Sequence, residues 1–141
     1  DETCAIANGK LAYGTKDLVR DDALLQMRIG RAETSWHAAR AFLIETVDEL
    51  WQTLLAGDDL SLDLRSRFRQ CNLHGFHVAQ EVTQSMYTLA GSKALYRPHP
   101  LERAFRDQTV AANHLLVREG GYAEIGRVSL GIDPQSFVLA G

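Results

Sequence analysis

The stretch that decides the fold runs from Gly91 to Leu116: GSKALYRPHPLERAFRDQTVAANHLL. It holds Pro98 and Pro100, two of the chain's three prolines. Proline lacks an N–H and has a fixed φ, so it breaks a helix interior but suits a helix's first turn. Gly91-Ser92 therefore closes one helix, and Pro100 opens another that is expected to reach Arg118. Leu101, Phe105, Gln108, Ala112 and Leu115 make its inward stripe. Arg103, Asp107, Val110 and His114 follow at steps of four, three and four, so they share a second face.

Working outward, the preceding segment repeats the helical period. Leu64, Phe68, Cys71, Gly75, Val78, Val82, Ser85 and Leu89 fall on one face. A glycine within a helix costs about 1 kcal/mol against alanine, so Gly75 is expected to admit a close helix neighbour. Before it, Leu25, Ile29, Ala32, Trp36, Ala39, Leu43, Val47, Leu50 and Leu54 form a long apolar stripe. Asp21 and Asp22 offer that helix an N-cap. Gly57-Asp58-Asp59 ends it and is expected to cap the next helix. Trp36, Trp51 and the phenylalanines read as core. The first twenty residues show little periodicity, with Gly9 and Gly14 as breakers. After Gly120-Gly121 a shorter segment, Tyr122 to Leu130, ends at Gly131, and Asp133-Pro134 begins a tail.

Long helices with short connections, and no sustained period-two alternation, predict an all-α, antiparallel four-helix bundle. The 141 residues fit a single helical-bundle domain, residues 1–141, and 45% hydrophobic content allows a core. The chain starts at Asp1 without methionine, so a place in a longer protein is expected.

Net charge is −3, which gives no bulk attraction for nucleic acid or an anionic membrane. No apolar run is long enough to span a bilayer. Two cysteines, Cys4 and Cys71, make no disulfide framework, and a cytoplasmic location is expected.

Among residues that can carry chemistry, Asp107 on the third helix has a plain explanation in a salt bridge between helices, to Arg103 or Arg106. His74, His77 and Glu81 suggest a metal site only weakly, and no Glu-x-x-His occurs, which excludes a di-iron bundle. No metal is expected. Gly91-Ser92-Lys93 could present backbone N–H groups and a cation to a phosphate, with Lys10, Arg20 and Arg97 as further candidates. No Walker loop, dinucleotide fingerprint or nucleophile triad is present.

Ala90-Gly91-Ser92, Pro100-Leu101-Glu102-Arg103, Phe105-Arg106-Asp107, His114, Gly126 and Leu130-Gly131 together resemble the C-terminal domain of the acyl-CoA dehydrogenase superfamily. RIGRAETSWHAAR (28–40) and DELW (48–51) fit the first long helix of that domain. The resemblance is nearest to the two-component flavin-dependent monooxygenases. It implies a C-terminal four-helix bundle of a longer flavoenzyme, tetramers through the bundles, and flavin, FMN or FAD, supplied reduced by a separate reductase component. It implies hydroxylation of an aromatic or related small molecule. It also implies that the Gly91-Ser92-Lys93 turn approaches the flavin phosphate region of a neighbouring subunit, which makes Gly91, Ser92 and Lys93, with the candidate cation Lys10, the expected cofactor-binding residues, and that His114 is a catalytic residue near the flavin ring, assisting oxygen activation. Arg106 and Asp107 then orient the helix. Two alternatives stay open. An FAD-dependent acyl-CoA dehydrogenase would place a catalytic glutamate in a loop like Glu119-Gly120-Gly121, but the arginine-bearing segment expected after it is missing. A non-catalytic helical oligomerisation module is the other.

Overall fold

The structure, a computed structural model, describes residues 2–11, 16–95, 99–135 and 139. Five α-helices are present: α1 (Glu2–Gly9), α2 (Ala23–Ala56), α3 (Leu62–Ala90), α4 (Pro100–Ala111) and α5 (Gly121–Ser129). Short 3-10 turns lie at Val19–Asp21, Gly91–Leu95 and Leu115–Val117. There is no strand among the described residues, only an isolated antiparallel bridge between Leu11 and Leu18. The expected all-α class holds. Gly14, Arg97 and Pro98 lie outside the described residues.

The helix ends follow from side-chain chemistry. Asp22 caps α2, its Oδ1 accepting from the N–H of Leu24 at 2.7 Å and of Leu25 at 3.4 Å. At the far end Gly57 adopts φ +79°, a left-handed conformation that favours glycine. Asp58 N–H then donates to Thr53 C=O at 3.2 Å and Gly57 N–H to Leu54 C=O at 3.1 Å, the double closure of a Schellman end. Ser61, rather than Asp58 or Asp59, caps α3: its Oγ accepts from Leu64 N–H at 3.1 Å. Gly131, at φ +70°, closes α5 as Gly57 closes α2.

The third helix is shorter than expected. It stops at Ala111, and His114 and Arg118 have extended backbones on either side of the turn Leu115–Val117. His114 therefore does not continue the Arg103–Asp107–Val110 face.

The chain packs as two compact units, residues 1–36 with 79–111, and residues 37–78 with 112–141. In the first, Ala7, Leu25, Ala90 and Ala94 are buried, and Tyr87 stacks on Phe105 with ring centroids 4.5 Å apart. In the second, α2 and α3 form a hairpin. Arg67 pairs with Glu49 at 2.8 Å, and Thr46 faces Cys71, the Thr46 hydroxyl donating to the Phe42 carbonyl at 2.8 Å and the Cys71 thiol to the Phe68 carbonyl at 3.1 Å. The two pairs step in opposite directions along the helices, the register of an antiparallel hairpin. Cys71 and Leu73 are fully buried here. Burial pushes the Cys71 thiol up, partly offset by the Thr46 hydrogen bond.

Two further expectations fail. Trp36 and Trp51 are 49% and 57% exposed, and Ile44, Val47, Leu54 and Leu55 are exposed with them. The apolar stripe of α2 is wider than the surface this chain lays against it. Gly75 has nothing within 4 Å of an added Cβ, so it admits no close neighbour. Gly121 does: a Cβ there would stand 2.8 Å from Leu73 Cδ1 and 2.8 Å from Arg69 Nη2.

Candidate functional site

The first candidate is the turn after α3. Gly91 has φ +63°, the left-handed conformation in which helices commonly end. Lys10, just past α1, lies against this turn: its Nζ is 3.4 Å from where a Gly91 Cβ would stand. The Lys10 carbonyl accepts from Val19 N–H at 2.8 Å, which fixes the backbone that carries the ammonium. Ser92 is exposed, and the Lys93 side chain lies outside the described residues. Two residues far apart in sequence thus meet, a cation over a glycine turn. A compact cation beside a glycine turn is an arrangement that can hold an anion such as a phosphate. Arg20 instead lies 3.7 Å from Asp21.

The second candidate is His114, which is exposed. Its Nδ1 accepts from Leu116 N–H at 3.3 Å, so the ring caps the turn that follows it. With Nδ1 as acceptor, the proton of the neutral ring sits on Nε2. His99 caps α4 in the same way, through Nδ1 to Leu101 N–H at 3.2 Å. His114 differs in what holds its turn. Arg69 donates through Nη1 to the Leu116 carbonyl. His77 Nε2 donates to the Val117 carbonyl at 3.1 Å, and its ring packs on Tyr122 at 5.5 Å. Leu73 lies between them on α3 and is buried with Val117 and Ile125. Partial burial also lowers the Arg69 guanidinium from its usual value.

The remaining candidates resolve into structure. Arg103 and Asp107 are 3.4 Å apart within one helix, and Arg106 lies 3.7 Å from Glu102 and 3.9 Å from Asp107. Asp107 has the arginine partners expected of it, but the pairs lie along α4 rather than between helices. Among the described residues no group of three histidine, cysteine, aspartate or glutamate side chains could hold a metal. His77 is a tie to the Val117 carbonyl instead. No helix is long and apolar enough to cross a membrane among the described residues. Sequence reasoning missed Arg69 and the role of His77. Arg69, Leu73 and His77 are spaced by four and so share a face, but that face lies beside the more apolar one of the same helix.

The chain belongs to the acyl-CoA dehydrogenase, C-terminal domain family, which matches residues 1–119. Within it the relatives are oxygenases. An indole-3-acetate monooxygenase of Pseudomonas putida is 30% identical over 134 residues, 95% of this chain and 34% of that protein. The flavin-dependent monooxygenase, oxygenase subunit HsaA, of Mycobacterium tuberculosis is 26% identical over 82% of this chain and 29% of its own length. The crystal structure of 3-HSA hydroxylase from Rhodococcus sp. RHA1 aligns with a TM-score of 0.78 at 27% identity, covering 86% of this chain and 32% of that one. The chain spans about a third of the length of these relatives. The resemblance drawn from residues 90–131 is borne out.

Proposed function

We propose that the chain is the C-terminal helical domain of a longer flavoenzyme, the oxygenase component of a two-component flavin-dependent monooxygenase. The observation that carries this is kinship over 95% of the chain to a protein named indole-3-acetate monooxygenase. A name of the form "flavin-dependent monooxygenase, oxygenase subunit" for another relative supports a separate reductase as partner. The substrate is a small aromatic or related molecule, and the protein works in the cytoplasm.

Lys10, Gly91 and Ser92, with Lys93, would hold the flavin phosphate. The Lys10 ammonium and the left-handed Gly91 turn are the features that fit it. Reduced flavin, FMN or FAD, would supply the two electrons and two protons that turn one atom of dioxygen into water while the other enters a substrate C–H bond. His114 presents its Nε2–H outward while Nδ1 is engaged, so it can donate a hydrogen bond to negative charge developing on oxygen. The two features belong to different units, and each makes its own contact. The exposed apolar residues of α2 would be covered by other copies of the chain, giving a homo-oligomer, a tetramer by the family resemblance.

The test is the whole protein with reduced FMN or FAD, oxygen and indole-3-acetate as first probe, extended to a panel of aromatic acids and phenols. A product heavier by one oxygen atom is expected. Acyl-CoA-driven reduction of an electron acceptor, with no oxygenated product, would replace this reading with a dehydrogenase.

A further inference from the structure

The carbonyls after His114 are bonded from outside their own segment. Helix α4 has ended, and the backbone of residues 114–117 makes a tight turn. Leu116 N–H goes to the His114 ring and Val117 N–H to the His114 carbonyl at 3.0 Å. The Leu116 and Val117 carbonyls are taken by two side chains of α3, Arg69 and His77. These lie eight residues apart, about two helical turns, and so reach neighbouring points from one face. Leu73 stands midway between them, fully buried against Val117 and Ile125. Gly121 leaves the room: a Cβ there would collide with both Leu73 and Arg69.

A carbonyl only accepts hydrogen bonds, so His77 Nε2 must carry its proton. The Tyr122 ring lies 5.5 Å from the His77 ring, tilted by 45°. The His114 ring is itself part of the turn through Nδ1, so whatever fixes the turn fixes the ring.

We propose that Arg69 and His77 are positioning residues for His114. They grip the carbonyls of Leu116 and Val117, so that the imidazole keeps one orientation with Nε2–H outward. The inference rests on His114 acting in the oxygenase reaction as proposed above. Neither residue touches flavin or substrate in this scheme. Their effect passes through the backbone of residues 114–117.

The test uses the whole protein with Arg69→Ala, His77→Phe and the conservative Arg69→Lys and His77→Gln, which retain an N–H donor. Hydrogen–deuterium exchange is read on the peptide covering residues 112–121, without flavin. The truncating variants should speed that exchange about tenfold, as expected for losing roughly 1.4 kcal/mol of local stability, while exchange across residues 23–36 stays unchanged. The conservative variants should return towards wild type. Reoxidation of enzyme-bound reduced flavin by oxygen is then followed in each variant with and without His114→Ala. Positioning predicts that Arg69→Ala and His77→Phe slow this step alone but add nothing once His114 is gone. Unchanged exchange at residues 112–121, or a slowing that persists in full in the His114→Ala background, overturns the inference. Wild-type kinetics in His114→Ala alone would instead remove the role of His114, and the exchange result would still report whether the grip exists.

Discussion

Gly75 and Gly121 make a matched pair whose alanine variants should move stability in opposite directions. At Gly75, within α3, an added Cβ meets nothing within 4 Å. Alanine there costs no packing and loses less backbone freedom on folding, a gain of about 0.5–1 kcal/mol. At Gly121 the Cβ would lie 2.8 Å from Leu73 Cδ1, closer than carbon atoms approach. Arg69 is a flexible side chain and can swing aside. Leu73 is fully buried and cannot. Forcing a methyl into such a site costs about 1–3 kcal/mol. The helix gain at Gly121 is under about 1 kcal/mol because it opens α5. The net is a destabilisation of about 1 kcal/mol, or roughly fivefold in a local opening constant. Amide hydrogen exchange in the whole protein reads both effects. Protection of α3 amides around Gly75 should rise several-fold in Gly75→Ala, and protection of α5 amides should fall several-fold in Gly121→Ala. If Gly121→Ala protects α5 as well as glycine does, Leu73 does not press on that position and the packing argument is wrong.

Three further outcomes are expected. Asp22→Ala removes both acceptor contacts at the start of α2 and should cost about 1 kcal/mol, seen as faster exchange of the Leu24 and Leu25 amides. Cys71 is fully buried and its thiol is pushed up, so the thiolate fraction near pH 8 is reduced; iodoacetamide should label Cys4 first and reach Cys71 only with denaturant. Trp51→Glu places a charge on the exposed apolar face of α2; on the homo-oligomer proposed above, light scattering should show a smaller assembly at unchanged helicity by circular dichroism.

Much of this fold is local and was legible for that reason. Asp22, Gly57, Gly91 and Gly131 set helix ends through contacts within a few residues, so the sequence displays them. The end of α4 is different. Nothing from Ala111 to Glu119 is glycine or proline, and the apolar period runs on. The helix stops at Ala111, and beyond it Arg69 and His77 take the carbonyls of residues 116 and 117. Those partners lie 47 and 40 residues upstream, beyond the reach of local periodicity. The same limit hid the meeting of Lys10 with Gly91 as geometry, although both were candidates as residues. Gly75 misled because a helical glycine signals a close neighbour only when a neighbour is there. Trp36 and Trp51 misled because periodicity reports an apolar face but not whether this chain covers it.

The tie between α3 and the turn after His114 is made to main-chain oxygens, and that has a consequence for how the protein can vary. Leu115 is 61% exposed and Leu116 is 39% exposed. Any residue at 116 offers Arg69 the same carbonyl, and the side chains at 115 and 116 take no part in the tie, provided that the turn backbone is kept. Arg69, Leu73 and His77 have no such freedom, because their side chains form the tie. In a saturation library, positions 115 and 116 should accept broad replacement, proline excepted at 116, while positions 69, 73 and 77 accept little. The exposed surface beside His114 is thus free to change while the hold on its turn stays constant.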